Sequence, residues 1–282
     1  MRYRYYFCEK YSIQLIEFLE KNGIMYKYHK ESGEYSHLSR VIFNIYSSAE
    51  KADLYLYELQ KINVLNPIVF AEYSSADYLK AKLLWMTPKK QCIEIMNEEN
   101  AYRYSCEWTT ILGGTRIMHE EQIAEFVIEK EPSMKTQTAF WCESTGFAEI
   151  FTDYRVLEMV KNNSLMGIEF NKVLLRNGSY SEKLFQLSTQ NILERECVCS
   201  GYGEKIEVCP ICGKEQYCIN SAYQLHLDFS KIKKQSDLYI TEKMFGEGIS
   251  YPIYIISQKF YQLLKENKLA GNVTFSPVED VS

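Results

Sequence analysis

Residues 151–167 read FTDYRVLEMVKNNSLMG and residues 255–271 read IISQKFYQLLKENKLAG. Each stretch opens on apolar residues suited to a strand, continues as an amphipathic helix and ends at a glycine turn that leads into a second strand. Val156, Met159, Val160, Asn163, Leu165 and Gly167 match Phe260, Leu263, Leu264, Asn267, Leu269 and Gly271 at an offset of 104, which becomes 105 as the echo runs on to Val173 and Val278. The repeat predicts two related α/β units, residues 75–175 and 176–282.

Working outward, the second copy contains Cys197-Val-Cys199 and Cys209-Pro-Ile-Cys212-Gly213. A two-residue gap lets a tight turn aim both sulfurs of Cys209 and Cys212 at one ion about 2.3 Å away. Gly213 can take a positive φ and turn backbone N–H groups toward the thiolates. Cys197 and Cys199 are the less regular pair, with Gly201 and Gly203 between the two halves. The expectation is a small zinc ribbon with Cys197, Cys199, Cys209 and Cys212 as ligands, and with Cys218 or His226 as alternatives for one of them. Four protein ligands leave no open position, so such an ion braces the fold. The plain alternative is reduced bystander thiols or a disulfide.

The first 74 residues read strand, helix, strand, strand, helix, strand. Strands are expected at 3–8, from Ile24 to His29, at 40–46 and at 67–73, with helices at 12–22 and from Ser47, where Ser47 and Glu50 form a capping-box pattern. This order predicts a ferredoxin-like βαββαβ unit, and the fold class is α+β overall. Ser74 with Asp77 predicts a helix reaching Trp85. Strands are expected at 91–96 and 101–108, a turn at Gly113-Gly114, a short helix at 119–126 and a strand at 127–130.

The 282 residues carry 32 basic and 37 acidic side chains, a net charge of -5 that argues against a general nucleic-acid binder. No run approaches the ~18 apolar residues of a membrane span. The odd cysteine count, nine, together with the metal-like spacing, places the protein in a reducing compartment, the cytoplasm.

Ile168-Glu-Phe-Asn-Lys-Val173, Cys209-Pro-Ile-Cys212-Gly213, Thr241-Glu-Lys-Met-Phe-Gly246, Ile255-Ile-Ser-Gln-Lys-Phe260 and Phe275-Ser-Pro-Val278 follow one another in the order seen in bacterial immunity proteins. The region from Ala139 to Ser282 resembles these antidotes of polymorphic toxin systems, particularly the double-CxxCG-motif family. Its first cysteine pair departs from that pattern, being Cys-x-Cys-x-Gly. The resemblance implies a cytoplasmic protein that binds and neutralises a cognate toxin stoichiometrically, without turnover. Two other readings stand beside it. One is a zinc-ribbon nucleic-acid-binding module using Lys231, Lys233 and Lys234. The other is an enzyme of unknown reaction, for which His226 with Asp228 is the nearest approach to a catalytic pair.

Overall fold

The structure, a computed structural model, describes the chain except residues 32–38, 65–66, 90–91, 110–115, 135–137, 144–148, 200–204, 218–224 and 246–248. The predicted turns at Gly33, Gly113-Gly114 and Gly201 to Gly203, together with His37 and Cys218, lie outside the described residues. The fold is mixed α+β, and it divides into two compact units, one built on Met1–Asp77 and the other on Tyr78–Ile219 and Gln224–Ser282.

In the first unit β1 (Arg2–Lys10), α1 (Ile13–Lys21), β2 (Tyr26–His29), β3 (Arg40–Tyr46), α2 (Ala52–Lys61) and β4 (Ile68–Glu72) follow in order. The four strands lie β2-β3-β1-β4, every neighbour antiparallel. Alternation along β3 buries Val41, Phe43 and Ile45 against Leu15, Leu19 and Leu59 of the two helices. Ser12 caps α1 as its position suggests, accepting from the Leu15 amide at 3.1 Å. Ser47 does not cap α2. Its Oγ accepts from the Tyr3 amide at 2.8 Å, so the side chain serves the sheet, and the helix begins five residues later at Ala52.

The linker helix α3 (Ser75–Lys80) has the expected capping box, with Ser74 N–H and Oγ both donating to Asp77 Oδ2. It ends five residues before Trp85, however, because Leu83 onward forms β5 (Leu83–Pro88). That strand lies inside a sheet with Leu83, Leu84 and Met86 buried, and such apolar runs do not separate helix from strand by period alone.

The second unit continues with β6 (Cys92–Ile93), α4 (Glu98–Ala101), β7 (Tyr102–Thr109), β8 (Arg116–Gln122), β9 (Val127–Ile128), β10 (Phe140–Glu143), β11 (Ile150–Asp153), α5 (Tyr154–Asn162) and β12 (Glu169–Leu175). It then runs through β13 (Tyr180–Ser188), β14 (Ile192–Leu193), β15 (Lys205–Val208), β16 (Glu215–Tyr217), β17 (His226–Leu227), β18 (Leu238–Thr241), β19 (Met244–Phe245) and β20 (Ile249–Ser250). The last elements are β21 (Tyr254–Ser257), α6 (Gln258–Glu266), β22 (Val273–Pro277) and β23 (Glu279–Asp280).

Two main sheets result, β6-β10-β11-β13-β12-β9 and β14-β18-β21-β5-β22. The expected boundary at 175/176 therefore falls inside the β12–β13 hairpin, and β5 joins strands more than 150 residues away, so the two expected units build one. Helices α5 and α6 stand in corresponding places. Asp153 and Ser257 cap them, Asn163 and Asn267 end them, and Ser164 and Lys268 follow with positive φ. Their apolar faces, Val156 and Val160 on one and Phe260 and Leu264 on the other, pack into one shared core.

Candidate metal centre

Cys209 and Cys212 sit in the turn that joins β15 to β16. The Cys209 amide donates to Lys214 O at 2.9 Å and the Gly213 amide to Cys209 O at 2.9 Å, closing the loop. Gly213 has φ +74, and the Cys212 amide points at Cys209 Sγ from 3.5 Å, which is the turn that the Cys-x-x-Cys-Gly spacing demands. This half of the site is local.

The other half comes from the β7–β8 hairpin, in which Cys106 and His119 are direct cross-strand partners beside a bulge at Ser105. Among the described residues, Cys106, His119, Cys209 and Cys212 form one group whose ligand atoms all lie within 4.8 Å of one another. Cys106, His119 and Cys209 are buried, and Cys212 is exposed. Together the four lie close enough to hold a metal ion.

Neighbouring contacts hold the two hairpins in place. Trp108 Nε1 donates to Glu207 Oε2 at 3.3 Å, and the Trp108 ring meets the His119 ring edge-on. On one side β19 pairs with β16 and on the other β20 pairs with β8, so that Ser250 lies opposite His119. Lys243, just before β19, is buried. Its Nζ donates to Val198 O at 2.7 Å and Tyr217 Oη at 3.2 Å and lies 3.1 Å from Glu215 Oε2. A buried ammonium satisfied on three sides fixes the hairpin to the chain behind it.

Charge placement is shaped by burial. Burial pushes the Cys106 thiol up to about 11, with Cys212 and Cys209 adding to the rise. Burial also pushes Cys209 upward, but the Cys212 and Ile211 amides and the neighbouring thiols outweigh it and hold Cys209 below the usual thiol value. Burial lowers His119; Gln216 opposes this and Lys214 reinforces it. His119 Nδ1 faces Cys212 Sγ at 3.4 Å. The buried Gln216 beside it favours the protonated ring.

Cys197 and Cys199 are not in this group. Cys197 ends a turn, its amide donating to Glu194 O at 2.9 Å, and the chain then runs beside residues 226–228: the Cys199 amide donates to His226 O at 3.1 Å, and the Asp228 amide donates to Cys197 O at 2.9 Å. Cys197 Sγ is turned to Lys231 O at 3.4 Å. The backbone of this pair is bonded to residues 226–228, away from the Cys209 turn, so the two sulfurs do not complement it. His226 is not in the group either, and its Nε2 lies 3.0 Å from Glu279 Oε2. Asp228 instead takes the Ser230 amide and Lys231.

No protein-family profile and no curated protein matches the sequence.

Cys106 and His119 escaped the sequence reading because residues 119–126 read as a helix start, whereas Arg116–Gln122 is strand β8. One signal was available. A hairpin turned at the expected Gly113-Gly114 pairs position 106 with 121, which puts His119 two residues from the partner of Cys106 and on the same face. Among the described residues, no helix is long and apolar enough to cross a membrane.

Proposed function

We propose that Cys106, His119, Cys209 and Cys212 bind one structural zinc ion, and that the chain works as an immunity protein, neutralising a cognate toxin by stoichiometric binding. The convergence of three thiols and one imidazole from two separate hairpins carries the metal reading. Zinc at about 2.3 Å from sulfur and 2.0–2.1 Å from nitrogen sets S–N edges of about 3.6 Å and S–S edges of about 3.8 Å. The 3.4 Å between Cys212 Sγ and His119 Nδ1 is already such an edge, and a group within 4.8 Å needs only side-chain closure. With four protein donors the ion has no position for substrate, and its work is to fix the two hairpins as a rigid surface.

The immunity reading rests on the resemblance of 139–282, and the placement of its motifs supports it. Thr241 to Phe245 runs from β18 into the segment beside the metal hairpins, while Ile255 to Phe260 and Phe275 to Val278 build the shared core. The first unit's strand order β2-β3-β1-β4, with helices after β1 and β3, supports a ferredoxin-like reading of residues 1–74. A nucleic-acid role is less well supported, because Lys231 pairs with Asp228 at 3.1 Å and Lys233 with Glu194 at 2.6 Å. That pairing neutralises much of the short basic run.

Two measurements test the proposal. Elemental analysis of chain purified without a metal-affinity tag is expected to give one zinc per chain, and none would sink the metal reading. Co-expression with the secreted protein encoded beside this gene is expected to restore growth and yield a 1:1 complex. Failure of both with a toxic neighbour would sink the immunity reading.

A further inference from the structure

The two main sheets of the second unit repeat one another strand for strand. β6, β10, β11, β13 and β12 occupy the places of β14, β18, β21, β5 and β22, with the same neighbours and directions. Registers agree as well. Phe140 opposes Thr152 as Leu238 opposes Ile256; Thr152 opposes Phe185 as Ile256 opposes Leu84; and Phe170 opposes Leu187 as Phe275 opposes Met86. The outer bridges follow suit: Val127–Leu174 matches His226–Glu279, and Ile95–Ile128 matches Val198–Leu227.

In chain order one copy reads β5-β6-β9-β10-β11-α5-β12 and the other β13-β14-β17-β18-β21-α6-β22, colinear at an offset near 100 residues. Yet β5 does not lie between β11 and β12 of its own copy. It lies between β21 and β22 of the other, while β13 takes the vacant place between β11 and β12. We infer that residues 83–282 are two interleaved copies of one repeat that have exchanged their first strands, and that the Cys/His centre is the clasp across the exchange. The clasp rests on the zinc reading; the exchange does not.

The site's position supports the clasp. Both metal hairpins are inserted at the same point of the repeat. One lies between Met96, whose amide bonds Val127 O, and Phe126, and the other between Cys199, whose amide bonds His226 O, and Leu225. Each copy thus supplies two ligands, Cys106 and His119 from one and Cys209 and Cys212 from the other. Each exchanged strand is paired on both sides, so the copies hold one another through two full ladders apart from any ion.

The test uses the full chain with a protease recognition sequence inserted in the exposed turn at Asn177, Gly178 and Ser179, together with paired cysteines. Thr87 opposes Thr274 in the exchanged arrangement. In an unexchanged one it would take the place of Ser188 and oppose Glu169. After cutting, oxidised Thr87→Cys/Thr274→Cys protein is expected to run as one band on a non-reducing gel and as two after reduction. Thr87→Cys/Glu169→Cys, whose two positions lie on the same piece, should leave both introduced thiols open to alkylation, read by peptide mass. A bond to position 169, or none in either pair, would overturn the exchange. Without the disulfide, cut pieces should co-elute before and after chelation. Chelation should speed amide exchange in β7, β8, β15 and β16 by roughly tenfold or more and leave β5 and β13 protected. Uniform protection after chelation would overturn the clasp. An uncut protein without zinc would remove the metal reading and leave the cross-link result standing.

Discussion

Replacing Cys106 with Ala separates the two possible ligand sets, because Cys106 belongs to the group around His119 and Cys199 does not. An ion at 100 to 1,000 times its dissociation constant stabilises the folded chain by about 2.7 to 4.1 kcal/mol. Cys106 is 3% exposed, so no solvent ligand easily takes the sulfur's place. For a unit of this size each kcal/mol moves Tm by about 2–4 °C, which gives a fall of roughly 5–16 °C for Cys106→Ala. Cys199→Ala, at a half-buried position outside the group, should move Tm by less than about 2 °C and retain the ion. The assay is thermal unfolding with and without chelator, alongside zinc content. Chelator should bring the parent protein down toward Cys106→Ala and leave that variant unmoved, a non-additivity that a mere packing defect does not produce. A full zinc equivalent in Cys106→Ala, or loss of zinc in Cys199→Ala, would refute the assignment.

Three further outcomes are expected. Gly213 has φ +74 and a Cβ there meets nothing within 4 Å, so Gly213→Ala suffers only backbone strain of about 1–2 kcal/mol and should weaken zinc roughly 5- to 30-fold in chelator competition. Asn272 is buried, accepting from the Ala139 and Phe140 amides and donating to Phe140 O. Asn272→Ala should cost about 1–3 kcal/mol in denaturant unfolding without changing zinc stoichiometry. The Cys106 thiol, pushed up to about 11 in the metal-free chain, is protonated at neutral pH, so zinc uptake must expel that proton. Apparent affinity should therefore rise about tenfold per pH unit for this proton and fall on acidification, as measured by competition across pH 6 to 8. Tighter binding at lower pH would contradict this.

Local chemistry was legible without coordinates. The Ser12 helix start, the α5 and α6 apolar faces and the Cys209 to Gly213 turn all arise between residues a few positions apart, where dihedral preference and periodicity act directly. The repeat was legible too, because two copies of one helix face leave the same spacing in the chain. Tertiary structure alone decided which strand fills each sheet and which side chains gather as candidate ligands. Leu83 to Met86 is equally apolar as helix or strand, and only the gap between β21 and β22 makes it β5. His119 becomes a candidate ligand because β8 pairs with β7 and that hairpin meets another about ninety residues on. Such choices turn on contacts between distant segments, whose energies depend on partners that no short window of sequence contains.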